Sequence, residues 1–429
     1  MTDTDSQPLP KKDPFIALRY KDFRSYLGIR FFFTFAYQMQ AVILGFYIYH
    51  ITNSAFAIGI IGLCEAIPAV SIALFAGYTA DKSEKKAMLT KIFLAVFLSS
   101  LVIFIVTLKS MSGYIHAGWI VPIIYTMVFC NGVARAFYGP SAFTVMANSV
   151  PKEIYPNSST WNSSSWQIAS ILGPLTGGLI YGFYGITAVY CLILLFLLVA
   201  LTCVLFLKRY PPVFVPKESI WVSLSEGLSF VFNNKMMIGA MSLDLFSVFF
   251  GGAVALLPVF AHEILKVGPQ GLGIMRATTS LGAVLVMLTM ARFSPMGRPW
   301  RNLLIAVTGF GLSIICFALS RNFYLSLFFL FTEGAFDSVS VLIRGTIMQL
   351  LTPDHMRGRV SSVNQMFIGS SNEIGEFESG TAARLMGTVP SVLFGGSMTL
   401  LVVTITYLKT KRLIPLSLNE ISAPNVNTV

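Results

Sequence analysis

The sequence predicts an all-α membrane protein with twelve transmembrane helices in two pseudo-symmetric six-helix bundles. Three observations carry that expectation. Of 429 residues 55% are hydrophobic and only 11% charged, against roughly a quarter charged in a soluble domain. The apolar residues gather in runs of about twenty, the length a helix needs to cross about 30 Å of hydrocarbon. The second half of the chain also repeats features of the first in a single register.

The runs place spans at 25–49, 55–80, 87–108, 117–137, 161–183 and 186–207 in the first half, and at 236–261, 271–291, 303–320, 323–351, 360–386 and 389–408 in the second. Of the 30 Lys and Arg residues, 22 fall in alternate connections on one side and four on the other. Arg30, Arg135, Arg276 and Arg344 lie within spans. The positive-inside bias therefore predicts two cytoplasmic termini and an even number of spans. The net charge of +11 is accounted for by topology and does not call for a nucleic-acid partner. Residues 1–13 have no apolar core and no small-residue cleavage site, so they read as a tail and not as a signal peptide. All five cysteines fall inside spans without metal-ligand or disulfide spacing, which suits small apolar packing residues.

A cytoplasmic stretch at 208–235 separates the halves. Its Trp221, Leu224, Leu228 and Val231 recur at helical spacing beside Lys217, Glu218 and Glu226, the pattern of an amphipathic helix on a membrane surface. The expected organisation is a tail at 1–14, a first bundle at 15–207, the linker at 208–235, a second bundle at 236–411 and a tail at 412–429. An offset of 202 residues sets Gly132 on Gly334, Pro151 on Pro353, Asn162 on Asn364, Gly173 on Gly375 and Gly178 on Gly380. It also sets Arg135 opposite Asp337, which suggests a charge pair across the repeat axis.

Three local patterns carry chemistry. After the second span, Gly77-Tyr-Thr-Ala-Asp81-Lys82-Ser-Glu84-Lys85-Lys86 combines a small helix-contact residue, a carboxylate suited to capping the next helix, and lysines at the headgroup level. In the fourth span stands Arg135-Ala-Phe-Tyr138-Gly139. An intramembrane Arg costs at least about 2.5 kcal/mol, so it should face protein or water. In the fifth span, Gly173-Pro174-Leu-Thr-Gly177-Gly178 puts two glycines on one face for close packing, while Pro174 removes a backbone hydrogen bond and allows a hinge.

These patterns resemble the G-x-L-x-D-R-x-G-R-K/R, R-x-x-Q-G and G-P-x-x-G-G motifs of the major facilitator superfamily. Glu84 stands in place of a Gly and Tyr138 in place of a Gln. The stretches from Leu243 to Pro258, and from Arg357 through Asn364 to Gly380, look like the enterobactin-exporter-like, or transmembrane secretion effector, branch of bacterial efflux permeases. The resemblance covers roughly residues 15–411. It implies a multi-pass protein of the bacterial inner membrane working by alternating access. It further implies that Gly77, Asp81, Lys82, Lys85 and Lys86 form a conformational latch, and that the fifth-span motif marks proton-coupled antiporters.

Carboxylates deep in a bilayer tend to mark ion or substrate pathways. Glu333 and Asp337 are one turn apart on the tenth span, with Arg344 two turns further on, and Glu373 and Glu376 sit near the middle of the eleventh. Crowded in low dielectric, such groups are candidates to bind and release protons. The expectation is that Asp337 and Glu376 share proton coupling, with Arg135 or Arg344 as the switching partner; the competing reading is a set of ion pairs that lock helices together. Gln38, Gln40 and Asp244 are the candidate substrate-cavity residues, since isolated polar groups facing lipid would lack partners.

No nucleotide-binding loop, zinc helix or nucleophile elbow is present, and the four histidines show no ligand spacing. No cofactor, metal or enzymatic activity is expected. The leading expectation is proton-coupled export of a siderophore, a macrolide-like or another lipophilic compound by a monomer, with protons, the lipid bilayer and a small molecule as its partners and no nucleic acid. Uptake or facilitated diffusion of a metabolite is second, and a membrane enzyme or lipid scramblase third.

Overall fold

The computed structural model describes residues 13–108, 117–211, 220–251, 253–290, 292–353, 356–417 and 420. Lys217 and Glu218, and the side chains of Asp81, Trp221 and Leu224, lie outside the described residues. The chain is helical almost throughout, and no strand occurs among the described residues. Helices α1 (Lys21–Thr52), α2 (Ala55–Lys82), α3 (Lys85–Thr107), α4 (Ala117–Asn148) and α5 (Tyr155–Leu205) build the first bundle. Helix α6 (Ile220–Asn233) follows. Helices α7 (Lys235–Phe250), α8 (Ala253–Val259), α9 (Gly268–Met290), α10 (Pro299–Leu319), α11 (Phe323–Leu351), α12 (Arg357–Met386) and α13 (Thr388–Lys409) build the second.

The thirteen helices among the described residues make twelve spans because α6 lies outside the spans and because of two local features. Helix α5 is two spans joined at Gly185, whose φ of 78° is a left-handed conformation that a side chain would disfavour. The seventh span, predicted as continuous, is broken. Helix α7 ends at Gly251, whose N–H bonds Ser247 O at 2.8 Å, and α8 resumes at Ala253 before a π turn over Phe260–Ile264. Apolar periodicity is blind to this break, because glycine is compatible with a membrane run yet propagates a helix poorly.

Turn chemistry sets the antiparallel order. Asn53 takes a left-handed conformation after α1, and Ser54 caps α2 by accepting from Ala57 N. Asn234 caps α7 and Asn322 caps α11 in the same manner. Between α2 and α3 the cap is Glu84: its carboxylate accepts from Lys86 N at 3.0 Å and Ala87 N at 2.8 Å. The residue that departs from the superfamily motif thus supplies the helix start. Lys86 Nζ donates to the carbonyls of Leu205 and Leu207 at 2.6 and 2.8 Å, placing a cation on the terminal carbonyls of α5. Lys85 is fully buried and donates to Ala80 O. Helix α4 runs eleven residues beyond the predicted Phe137, to Asn148. In this extension Thr144 and Asn148 bond the carbonyls one turn back.

Helix α6 lies against α12 and α7, with Val231 buried among Met237, Met241, Met348 and Val360. Its Glu226 pairs with Arg359, and the carbonyl of Arg359 approaches to 3.0 Å of where a Cβ on Gly227 would stand.

The two bundles meet at the end opposite the basic connections. Helix α2 crosses α12 there, with Gly59 on Gly380. Helix α5 crosses α9: a Cβ on Gly178 would stand 2.7 Å from Gly273 Cα and 2.5 Å from Pro269 O. Helix α1 meets α8, with Gly45 on Pro258. Only residues without side chains allow backbones so close. Towards the basic end, added side chains at Gly77, Gly139, Gly345 or Gly369 would meet nothing within 4 Å, while α5 and α9 stay in contact through Ser170 with Ser280 and Gln167 with Met287. Gly77 therefore makes no close helix contact in this conformation. Gly173 and Gly177 both face α1, against Gln38 and Met39, so the fifth-span motif seats α5 on its own bundle while Gly178 seats it on the other.

Candidate functional site: a charge network between the bundles

Arg135 stands in the middle of α4, and its side chain remains 32% exposed at that depth. Its Nη1 donates to Tyr37 Oη at 2.5 Å and to Glu65 Oε2 at 2.9 Å, both in the first bundle. Its Nη2 reaches Glu373 Oε1 of α12 at 3.4 Å, in the second. Tyr37 Oη donates to Glu65 Oε2 at 2.8 Å, and the guanidinium carbon stands 4.6 Å from the Tyr37 ring centre. One planar cation thus ties α1, α2 and α4 to α12. An ammonium could not match this fork of donors.

Around this core lie further charges. Glu376, one turn from Glu373, packs where Gly62 of α2 leaves room: a Cβ there would be 2.9 Å from Glu376 Oε2. Arg276 of α9 is within Coulombic reach of Glu376, Glu333 and Tyr37. Glu333 bonds Thr279, while its Oε2 and Glu373 Oε2 are buried without partners. Four carboxylates, Glu65, Glu333, Glu373 and Glu376, therefore share two guanidinium groups. A buried carboxylate without a compensating charge is costly, and proton binding removes that cost.

The second cluster is enclosed in the C-terminal bundle. Asp244 of α7 pairs with Arg344 of α11, and Asp337 lies close enough to interact with both. Asp244, Ser247, Val307, Phe310, Asp337 and Ser340 line a small cavity beside it. The Arg135–Asp337 opposition suggested by the repeat register is not made, and Asp337 and Glu376 belong to different clusters. Glu333 and Asp337 share a helix face, but one turn of rise is enough to send Glu333 to α9 and Asp337 to α7. Replacing Arg344 by Met is expected to lower stability by about 3–5 kcal/mol, because Asp244 is left buried and unpaired. The pair Arg344→Met with Asp244→Asn is expected to recover most of it. Thermal unfolding in detergent measures both.

Gln40 accepts from Ser100 Oγ at 3.1 Å and lines a cavity within the first bundle with Tyr37, Asn131 and Arg135. The stem of Gln38 lies against α5 at Gly173. Asp244 lines the small cavity inside the second bundle. Glu65, Tyr37 and Arg276 are central here, although sequence reasoning did not single them out as coupling residues. The signal for Glu65 and Arg276 was their charge within a span; for Tyr37, one aromatic among many, there was none.

The family described as transmembrane secretion effector matches residues 12–426. The chain belongs to that family. It is thus a multi-pass membrane protein of the major facilitator superfamily. The chain is 27% identical over 197 residues to the enterobactin exporter EntS of Escherichia coli O81 (strain ED1a). The match covers 46% of this chain and 47% of that protein. The enterobactin exporter EntS of Shigella flexneri is 26% identical over 197 residues, 46% of each chain. The chain spans about half the length of these relatives. Among solved structures, the nucleoside transporter NupG superposes with a TM-score of 0.70 at 14% identity, covering 91% of this chain and 100% of that one. A bacterial homolog of the human lysosomal transporter Spinster superposes with a TM-score of 0.69 at 14% identity, covering 92% and 98%. Both share the fold of this secretion effector. Family and fold are those of transporters.

Proposed function

We propose that this secretion effector is a proton-coupled exporter of a small lipophilic compound, working by alternating access. The observation that carries the reading is Arg135 held between Glu65 of its own bundle and Glu373 of the other. In the present conformation Arg135 offsets both carboxylates. Separating the bundles leaves Glu373 without its cation, and a proton taken up there removes the penalty. Glu65 and Tyr37 keep Arg135 satisfied in the meantime. Asp337, beside the Asp244–Arg344 pair, is a second proton-binding candidate. The excess of carboxylates over guanidinium groups supports coupling to protons, and the named relatives support export. The basic connections support a cytoplasmic placement of the end that carries them.

Inverted membrane vesicles with an internal pH dye test this reading. Siderophores, macrolides and lipophilic cations are added in turn to wild type, Glu373→Gln and Asp337→Asn at matched expression. A transported compound is expected to release protons from acid-loaded wild-type vesicles, and Glu373→Gln is expected to abolish that release while compound binding persists. Compound movement without proton release in wild type would sink proton coupling, and movement only out of the vesicles would favour uptake.

A further inference from the structure

The end at which the bundles meet carries a cluster outside the charge network. Tyr49, near the end of α1, donates through its hydroxyl to Glu263, in the π turn after α8. His50 of α1 and His262 of the same π turn approach with ring centres 6.0 Å apart, and His262 also contacts the rings of Phe46 and Tyr49. Each contact joins one bundle to the other. The Nδ1 of His262 is buried without a hydrogen-bond partner, and neither histidine forms an ion pair with Glu263 among the described residues. Other ionisable groups near this end include Tyr47 of α1, Tyr181 of α5, whose ring meets Phe46, Lys266, which follows the π turn, Arg384 of α12, which lies over the Phe56 ring, and Arg321 between α10 and α11. A π turn in an otherwise α-helical span is a local irregularity often found where function requires it.

We infer that Tyr49, His50, His262 and Glu263 form a proton-sensitive closure between the bundles, one that acid opens. Histidine is the side chain whose charge changes between about pH 5 and pH 8. Neutral imidazoles pack against each other and against the aromatic rings. Two imidazolium ions about 6 Å apart in water repel enough to shift an equilibrium about threefold. Lys266 adds charge of the same sign. This repulsion loosens the contact that Tyr49 and Glu263 hold together. The inference rests on the proposed function only for its sidedness: if this end faces outward, the more acidic compartment loosens the closure on its own side.

The test is a distance measurement without substrate, so that it stands or falls separately from proton-coupled transport. Spin labels are placed at Ile51→Cys and Leu385→Cys, both exposed near this end, in a variant whose five native cysteines are replaced. Between about pH 8 and about pH 5 the longer-distance population is expected to rise about threefold or more. The response is expected to vanish in the combination of His50→Asn, His262→Asn and Glu263→Gln. Tyr49→Phe, which keeps the ring packing, is expected to raise the longer-distance population already at the higher pH. Identical distributions at both pH values, a shift to shorter distances in acid, or an undiminished response in the combined variant would each overturn the inference.

Discussion

Arg135→Met is expected to lower coupled transport about 10- to 100-fold and to loosen the contact between α4 and α12. The substitution leaves Glu65 and Glu373 without their shared cation while removing little volume. Because the Arg135 side chain is 32% exposed, the stability loss should stay below that of a fully buried pair, at about 1–3 kcal/mol. The same energy, applied to one conformation and not the other, lowers the rate of the cycle about 10- to 100-fold. Arg135→Lys is expected to restore the charge but not the contacts, since an ammonium cannot address Tyr37, Glu65 and Glu373 with one planar fork. Glu373→Gln in the Arg135→Met background is expected to recover stability but not coupling. A double-mutant cycle by thermal unfolding, paired with vesicle flux, checks this. Additive effects of the two substitutions would show that the 3.4 Å contact contributes nothing.

Gly178→Leu is expected to act by volume alone. A Cβ at this position already falls within contact of Gly273 Cα and Pro269 O, and both are backbone atoms that cannot rotate away. The larger side chain should hold α5 off α9, cost about 1–3 kcal/mol or more in the closed arrangement, and lengthen the distance between labels at positions 51 and 385 at every pH. Gly178→Ala should do the same to a smaller degree. Gly139→Ala is the control, because its added methyl meets nothing within 4 Å and alanine favours a helix over glycine by about 1 kcal/mol. A wild-type distance distribution in Gly178→Leu would mean that the α5–α9 contact does not hold this end shut.

Much of the fold was legible because membrane insertion is a one-dimensional problem. Length and apolarity of each run decide whether a helix can cross, and 323–351 matched the observed α11 end to end. What the periodicity could not reveal was the break at Gly251 and the eleven extra residues of α4, because both depend on how a segment packs and not on its apolarity.

The candidate site was legible by residue type and not by pairing. Intramembrane charge singled out Arg135, Glu333, Asp337, Arg344, Glu373 and Glu376, since each costs too much in lipid to be incidental. The repeat register then suggested Arg135 against Asp337. The tertiary structure instead gives Arg135 to Glu65, Tyr37 and Glu373, and Arg344 to Asp244. A repeat relates backbones, but a charge pair is decided by rotation about each helix axis and by which bundle is tilted against which. The sequence by itself determined how many helices cross, which faces must avoid lipid, and where basic connections accumulate. Only the tertiary structure decided which carboxylate meets which guanidinium, because those distances are set by close contacts of side-chain-free glycines at the other helix crossings.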